Sequence, residues 1–160
     1  MKDWGVYVTD EDGLNQGKWT HYKTIAKADL FSWATGDGAY AGQVVADDNG
    51  TPSDTSDDWF YYYVPVKDKA SEAAGQDPFA IGVAKSKSPL GPWKDAIGKP
   101  LLTTSQTQIE TIDPAFFVDE DGTGYLHFGT FGTQLAIKMK KDATTGRTSY
   151  TCLLYTSDAA

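Results

Sequence analysis

The chain is poor in the residues that most catalytic and metal-binding templates need. Its 160 residues include one cysteine, Cys152, and two histidines, His21 and His127. A lone thiol closes no internal disulfide, and two separated histidines match no ligand spacing, so neither a metal nor another cofactor is expected. The redox compartment is unreadable for the same reason. Long apolar runs are missing too: nothing approaches the roughly 18 residues of a membrane-spanning helix, and MKDWGVYVTDEDG lacks the layout of a signal peptide. Basic residues are few, 14 Lys+Arg against 22 Asp+Glu for a net charge of −8, and they form no cluster in the sequence. With no basic footprint, neither nucleic acid nor a membrane surface is expected as a partner. The G-x-S-x-G, P-loop and dinucleotide fingerprints are also absent, which leaves carboxylates as the main chemical resource.

Aromatics are abundant, with five Trp, nine Tyr and seven Phe, and they come with 16 Gly and 7 Pro. That mixture suits short strands joined by tight turns, so an all-β fold is expected. Strand signals fall at 4–9, 42–46, 59–66, 79–84, 115–119, 125–131 and 134–139. Turn chemistry separates them at 47–50, 88–92 and 119–122, the last closing a hairpin. Residues 67–76 lack an apolar stripe and are expected to be a loop. Both DEDG stretches, 10–13 and 119–122, are expected to be plain turns, because neither is followed by the closing Glu of a calcium loop. A weak repeat links Val8 through a reversal to Gly17-Lys18-Trp19, and Val83 to Gly91-Pro92-Trp93. It suits four-stranded propeller blades, with a seven-stranded sandwich equally compatible with the strand count.

Most of the acids, including Asp47, Asp48, Asp54, Asp57 and Asp58, lie in polar turns and read as solvated. Asp113 differs, because it precedes Pro114 and the aromatic strand at 115–119. The proline predicts extended geometry for it, at a strand mouth among apolar groups where its charge would act strongly on a neighbouring acid. A turn residue capping the strand start is the competing reading.

Four ordered segments carry a resemblance: Tyr40-Ala41-Gly42-Gln43-Val44-Val45, the aromatic run 59–66, AIGVAKSKSPLGPW at 80–93, and Ile112-Asp113-Pro114 through Tyr125-Leu126-His127-Phe128-Gly129. Together they resemble glycoside hydrolase family 43, five-bladed β-propeller enzymes acting on arabinose- and xylose-containing polysaccharides. The resemblance runs from about residue 1 to 141 and implies a fragment of such a propeller, about two and a half blades. It implies an oligo- or polysaccharide substrate and an inverting hydrolysis by a general base, a general acid and a third Asp that tunes and orients the acid. By motif position Asp113 matches the third. The family's base and acid have no matching positions here, and Glu110 is on the wrong side of the motif to be the acid. The chain alone is therefore expected to be inactive.

Tyr40 stands where the family usually has Trp, Gly42 where it often has Pro, and Phe128 where the strand often ends in Trp. Trp33, Tyr40, Gln43 and Phe128 are the candidate substrate contacts, by stacking or by hydrogen bonding, with core packing as the other reading of each. Two other classes are open: a non-catalytic carbohydrate-binding β-domain, and a five-bladed enzyme acting on fructosides. The latter would carry an Arg before Asp-Pro where this chain has Ile112. An opened propeller would also leave unpaired edges, and the run 59–66 is expected to be one of them.

The last nine residues, CLLYTSDAA, read as the translation of a transposon-end adapter used in sequencing libraries. Residues 1–151 are thus expected to be the partial propeller domain and 152–160 to be non-native, from a truncated environmental gene.

Overall fold

The computed structural model describes residues 3–26, 30–35 and 38–153. It contains three antiparallel sheets, each built from strands consecutive in sequence. The first is a hairpin of β1 (Trp4–Val8) and β2 (Thr20–Ile25). The second runs β3 (Gln43–Asp47), β4 (Trp59–Lys67), β5 (Phe79–Ser86) and β6 (Lys94–Asp95), with β7 (Leu102–Thr103) also on β5. The third runs β8 (Ala115–Val118), β9 (Gly124–Thr130), β10 (Thr133–Lys141) and β11 (Thr148–Leu153). A sandwich would interleave its strands between two sheets by Greek-key crossings. Three successive meanders are instead the two and a half blades expected. The Gly-x-Trp repeat has a structural basis, since Trp19 and Trp93 each immediately precede the closing strand of a hairpin, β2 and β6. The first hairpin is therefore the equivalent of the outer half of the second sheet.

All seven expected strands are present. The run 59–66 is not an edge, however: β4 pairs with β3 on one side and β5 on the other. Its alternation explains why. Tyr63 faces one core cluster with Ile81, Val83, Phe116, Leu126 and Met139, while Tyr62, Val64 and Val66 face a second with Trp4, Phe31 and Ala84. A strand with apolar side chains on both faces belongs in the middle. Pro65 is tolerated there because the ladder to β3 ends at Tyr63.

The expected turn at 10–13 and the expected loop at 67–76 each give way to a single-turn helix. In α1 (Glu11–Asn15) the Asp10 carboxylate accepts the Gly13 N–H at 2.6 Å. In α2 (Lys69–Ala73) the buried Asp68 Oδ2 accepts the Ser71 N–H at 2.9 Å and its hydroxyl at 2.8 Å. One turn needs a cap more than an apolar stripe, which is why the search for a stripe misreads 67–76 as loop. Strand β2 escaped notice because its side chains are mostly exposed and polar. No helix among the described residues is long and apolar enough to cross a membrane. Of the segment 152–160, only Cys152 and Leu153 lie within the described residues, at the end of β11, where Leu153 packs into the first cluster.

The second and third sheets are joined at both ends of β3. At its end, Asp47 forms an ion pair with Arg147 at 2.5 Å, and Arg147 also donates to Asn49 Oδ1 at 2.5 Å. Between the sheets, the fully buried Tyr63 donates its hydroxyl to the Tyr150 carbonyl at 2.5 Å. Burial pushes the Tyr62 hydroxyl up to about 12, and burial together with the nearby Asp47 carboxylate does the same for Tyr150. The folded state thus holds these protons more tightly than an unfolded chain, where tyrosine titrates near 10. This contribution is complete below pH 10 and disappears as pH rises from there toward about 12. Alkaline titration should show tyrosinate absorbance and loss of the near-ultraviolet dichroism together in that window, and Tyr62→Phe should flatten the pH dependence. Reversible ionisation at pH 10 with the tertiary signal intact would contradict it.

Candidate active site

The run into Asp113 is organised by threonine hydroxyls. After α3 (Thr104–Thr107), the fully buried Thr111 donates its N–H to Thr104 Oγ1 at 3.1 Å and its hydroxyl to the Ile109 carbonyl at 3.2 Å. Ile112 then accepts the Gly129 N–H at 2.8 Å. Gly129 has φ +119°, and a Cβ there would collide with the Thr133 carbonyl, so only glycine lets β9 and β10 approach closely enough to make this anchor.

Between these fixed points Asp113 adopts φ +52°, in the left-handed region. This corrects the extended geometry predicted from Pro114. A non-glycine residue held there carries strain of order 1–3 kcal/mol, and persists because its surroundings over-determine it. Asp113 is also exposed, so the apolar enclosure expected around it is not formed by the described residues.

Gln43 comes to the same place from the neighbouring sheet. Its Oε1 accepts the Phe116 N–H at 2.5 Å, fixing the start of β3 beside the start of β8, three residues after Asp113. Sequence reasoning missed this bond, since an acceptor 73 positions away leaves no local signal. Gln43→Met should leave the half-buried Phe116 N–H unpaired and cost about 1–3 kcal/mol, with Gln43→Glu restoring most of it. Chemical denaturation and exchange of the Phe116 amide measure this; equal stability of Gln43→Met and wild type would refute it.

Tyr40 lies three residues before Gln43, half-buried, with its ring edge-on to Phe79 at 5.1 Å and its carbonyl accepting the Trp4 indole N–H at 2.8 Å. Trp33 is elsewhere. Its indole N–H donates to Asp95 on β6 at 2.9 Å and its ring rests on Phe31 at 5.1 Å, within the packing of the second cluster. Phe128 requires a correction: it is 2% exposed in the first cluster. On β9 it alternates with the exposed His127 in the same phase as Leu126, which turns its ring toward the core and away from any ligand. The structure therefore ties Gln43 to the start of β8, three residues after Asp113, leaves Tyr40 three residues before Gln43, and packs Trp33 and Phe128 with the two clusters. Among the described residues no group of three or more His, Cys, Asp and Glu could hold a metal ion.

The profile of glycosyl hydrolases family 43 matches residues 17–158. An arabinoxylan arabinofuranohydrolase of Bacillus subtilis (strain 168) is 55% identical over 53 residues, 31% of this chain and 10% of the relative. The extracellular endo-α-(1→5)-L-arabinanase 1 of the same organism is 32% identical over 148 residues, 86% of this chain and 41% of the relative. Among solved structures, a family 43 arabinoxylan arabinofuranohydrolase from Bacillus subtilis in complex with cellotetraose superposes with a TM-score of 0.59 at 28% identity, covering 86% of this chain and 29% of that one. The chain thus spans well under half the length of these relatives. Its meandering sheets are blades of the five-bladed β-propeller, and the chain belongs to glycosyl hydrolase family 43.

Proposed function

We propose that this chain is the part of an inverting glycosidase of arabinose- and xylose-containing polysaccharides that carries its third carboxylate, Asp113. The observation that carries the reading is the exposed, left-handed Asp113, pinned by the Ile112–Gly129 bond on one side and the Gln43–Phe116 bond on the other. A strained, exposed carboxylate fixed from two blades is poised to act on something outside its own packing. In this role Asp113 orients the general acid and keeps it protonated through its negative charge, and Tyr40 stacks on a sugar face. The Gln43 amide nitrogen, opposite the oxygen used by Phe116, donates to a sugar hydroxyl. Acid and base stand about 6.5–9.5 Å apart in an inverting site, leaving room for the attacking water. Neither has a counterpart in this chain, which accordingly binds without hydrolysing.

Titrating the isotope-labelled chain with arabino- and xylo-oligosaccharides should shift the resonances of Tyr40, Gln43 and Asp113, with no arabinose or xylose released. Release of either sugar by the chain, or shifts confined to other residues, would overturn the proposal. Binding that survives Asp113→Asn but fails with Tyr40→Ala would favour a purely carbohydrate-binding role.

A further inference from the structure

The end of the second sheet remote from Gln43 carries a separate cleft. In the β3–β4 register Gln43 lies opposite Tyr63 and Asp47 opposite Trp59, so Trp59 marks the far end of the blade. A cleft of about 590 Å³ opens there between Trp59, the end of β5 and the loop through Pro92. Three lysines line it. Lys85 and Lys94 are directly opposed across the β5–β6 ladder, and the Lys85 and Lys87 ammoniums lie 5.0 Å and 4.2 Å from the centre of the Trp59 ring. A fourth, Lys23 on β2, reaches the same loop: a Cβ built on Gly91 would lie 3.0 Å from its Nζ.

Like charges opposed across a ladder are unfavourable, and this chain has a net charge of −8 from which counter-charges could have been drawn. Among the described residues no carboxylate lines the cleft. Of the acids near it in sequence, Asp95 accepts from Trp33, Ile97 and Gly98, and the Asp57 carboxylate accepts from Asn49 and Thr51. The Asp57 carbonyl takes one Lys87 N–H at 2.9 Å, leaving that ammonium two further donors. Asp58, next to Trp59, keeps a buried Oδ1 without a hydrogen bond. Two serines add to the excess of donors. Ser86 Oγ accepts the Ser88 N–H at 3.1 Å and Ser88 Oγ accepts the Leu90 N–H at 3.2 Å, so each hydroxyl keeps its proton to donate. Ser86 is buried, where a donor without an acceptor is costly. An excess of ammonium and hydroxyl donors over acceptors matches a ligand that is anionic and rich in oxygen. The volume exceeds what a free phosphate fills and falls in the range of sites for small organic ligands. The Trp59 and Pro92 rings give such a ligand apolar walls.

We propose that this cleft is a second glycan site that takes a carboxylate-bearing sugar, a hexuronic acid residue, on the polysaccharide that the Asp113 end engages. The carboxylate bridges the Lys85 and Lys87 ammoniums, which Trp59 holds in place, with Lys94 as the third cation. The sugar hydroxyls accept from Ser86 and Ser88. This assignment rests on the polysaccharide reading, but it uses none of the same residues. It also revises the sequence-based view of the charge: the β5–β6 hairpin folds Lys94 back beside Lys85 and Lys87.

The test is titration calorimetry of the full chain with a xylo-oligosaccharide bearing one glucuronic acid and with the neutral oligosaccharide of equal length, in low salt and in high salt. The acidic ligand should bind at least about tenfold tighter, and the difference should shrink in high salt and vanish in Lys85→Gln/Lys87→Gln. Lys94→Gln alone, a milder change at an exposed position, should weaken the acidic ligand about threefold and leave the neutral one unchanged. Equal affinity for the two ligands, or indifference to both lysine variants, overturns the site. So does inorganic phosphate or a short single-stranded oligonucleotide binding as tightly as the acidic sugar, which would make the cleft a general anion or nucleic-acid site. Loss of neutral-ligand binding in Tyr40→Ala reports separately on the Asp113 end, so either reading can fail without the other.

Discussion

Gly82→Val should lower stability by about 3 kcal/mol or more and the melting temperature by about 6–12 °C. Gly82 lies in the middle of β5 with Ala80 and Ala84 on either side on the same face, all within the sheet that β4 divides. A Cβ at this position would stand 2.7 to 3.0 Å from three carbons of the Phe31 ring, and Phe31 is fully buried. The small Ala-Gly-Ala face is therefore the seat for that ring, and a branched side chain displaces it. The displacement propagates to Trp33, whose ring lies 5.1 Å from Phe31. Phe31→Ala should cost about 3–5 kcal/mol through the cavity it leaves. Combined with Gly82→Val, the loss should be smaller than the sum of the two by at least about 1 kcal/mol, because valine occupies part of the vacated space. Denaturant melts of the four proteins measure this. Additive losses would show that the two positions do not share one packing site.

In a longer enzyme that holds this segment within a closed propeller, Asp113→Asn should lower kcat by about 10²- to 10⁴-fold, the range attached to a proton transfer. KM should change little. The asparagine keeps the shape and tolerates the left-handed backbone, so it removes the charge and spares the fold. Without that charge the general acid gives up its proton at lower pH, so the alkaline limb of the pH–rate profile should move downward. Substrates with good leaving groups need less protonation and should lose less. Unaltered pH limbs and an equal loss for every leaving group would mean that Asp113 serves only as a structural turn. Asp113→Gly separates the two effects in the chain itself: it should relieve the backbone at φ +52° and melt no lower than wild type.

What could be read from the sequence followed from periodicity and from ordered motifs. The aromatic and β-branched runs of β4 and β9, the hairpin at 119–122 and the Gly-x-Trp pairs were visible because each rests on neighbours in sequence. Strand β2 was not, because Thr20, His21 and Tyr22 face solvent and carry no apolar signal. The single turn α2 depends on one carboxylate, Asp68, more than on a pattern. At the site, the position of Asp113 was legible but its backbone was not: Gly129, 16 positions downstream by number, decides where Ile112 is held. Gln43 could be named as a polar residue near a sugar, but the partner of its oxygen was beyond local reading. Phe128 was misjudged because motif position says that a ring is present without saying which face of β9 it takes. The lysine cleft was invisible because the loop 88–92 separates Lys94 from Lys85 and Lys87 in sequence.

Strand β4 forms a wall shared by two apolar clusters, with Tyr63 on one side and Tyr62, Val64 and Val66 on the other. Neither cluster can dissolve without exposing one face of the same backbone, and a strand cannot be half folded across its width. The three sheets are therefore one unit in cooperative terms, although their ladders are separate. The slowest amide exchange in the chain belongs at β4 and its partners, at the full free energy of unfolding, and the first hairpin shares in that protection through Trp4 and Ile25.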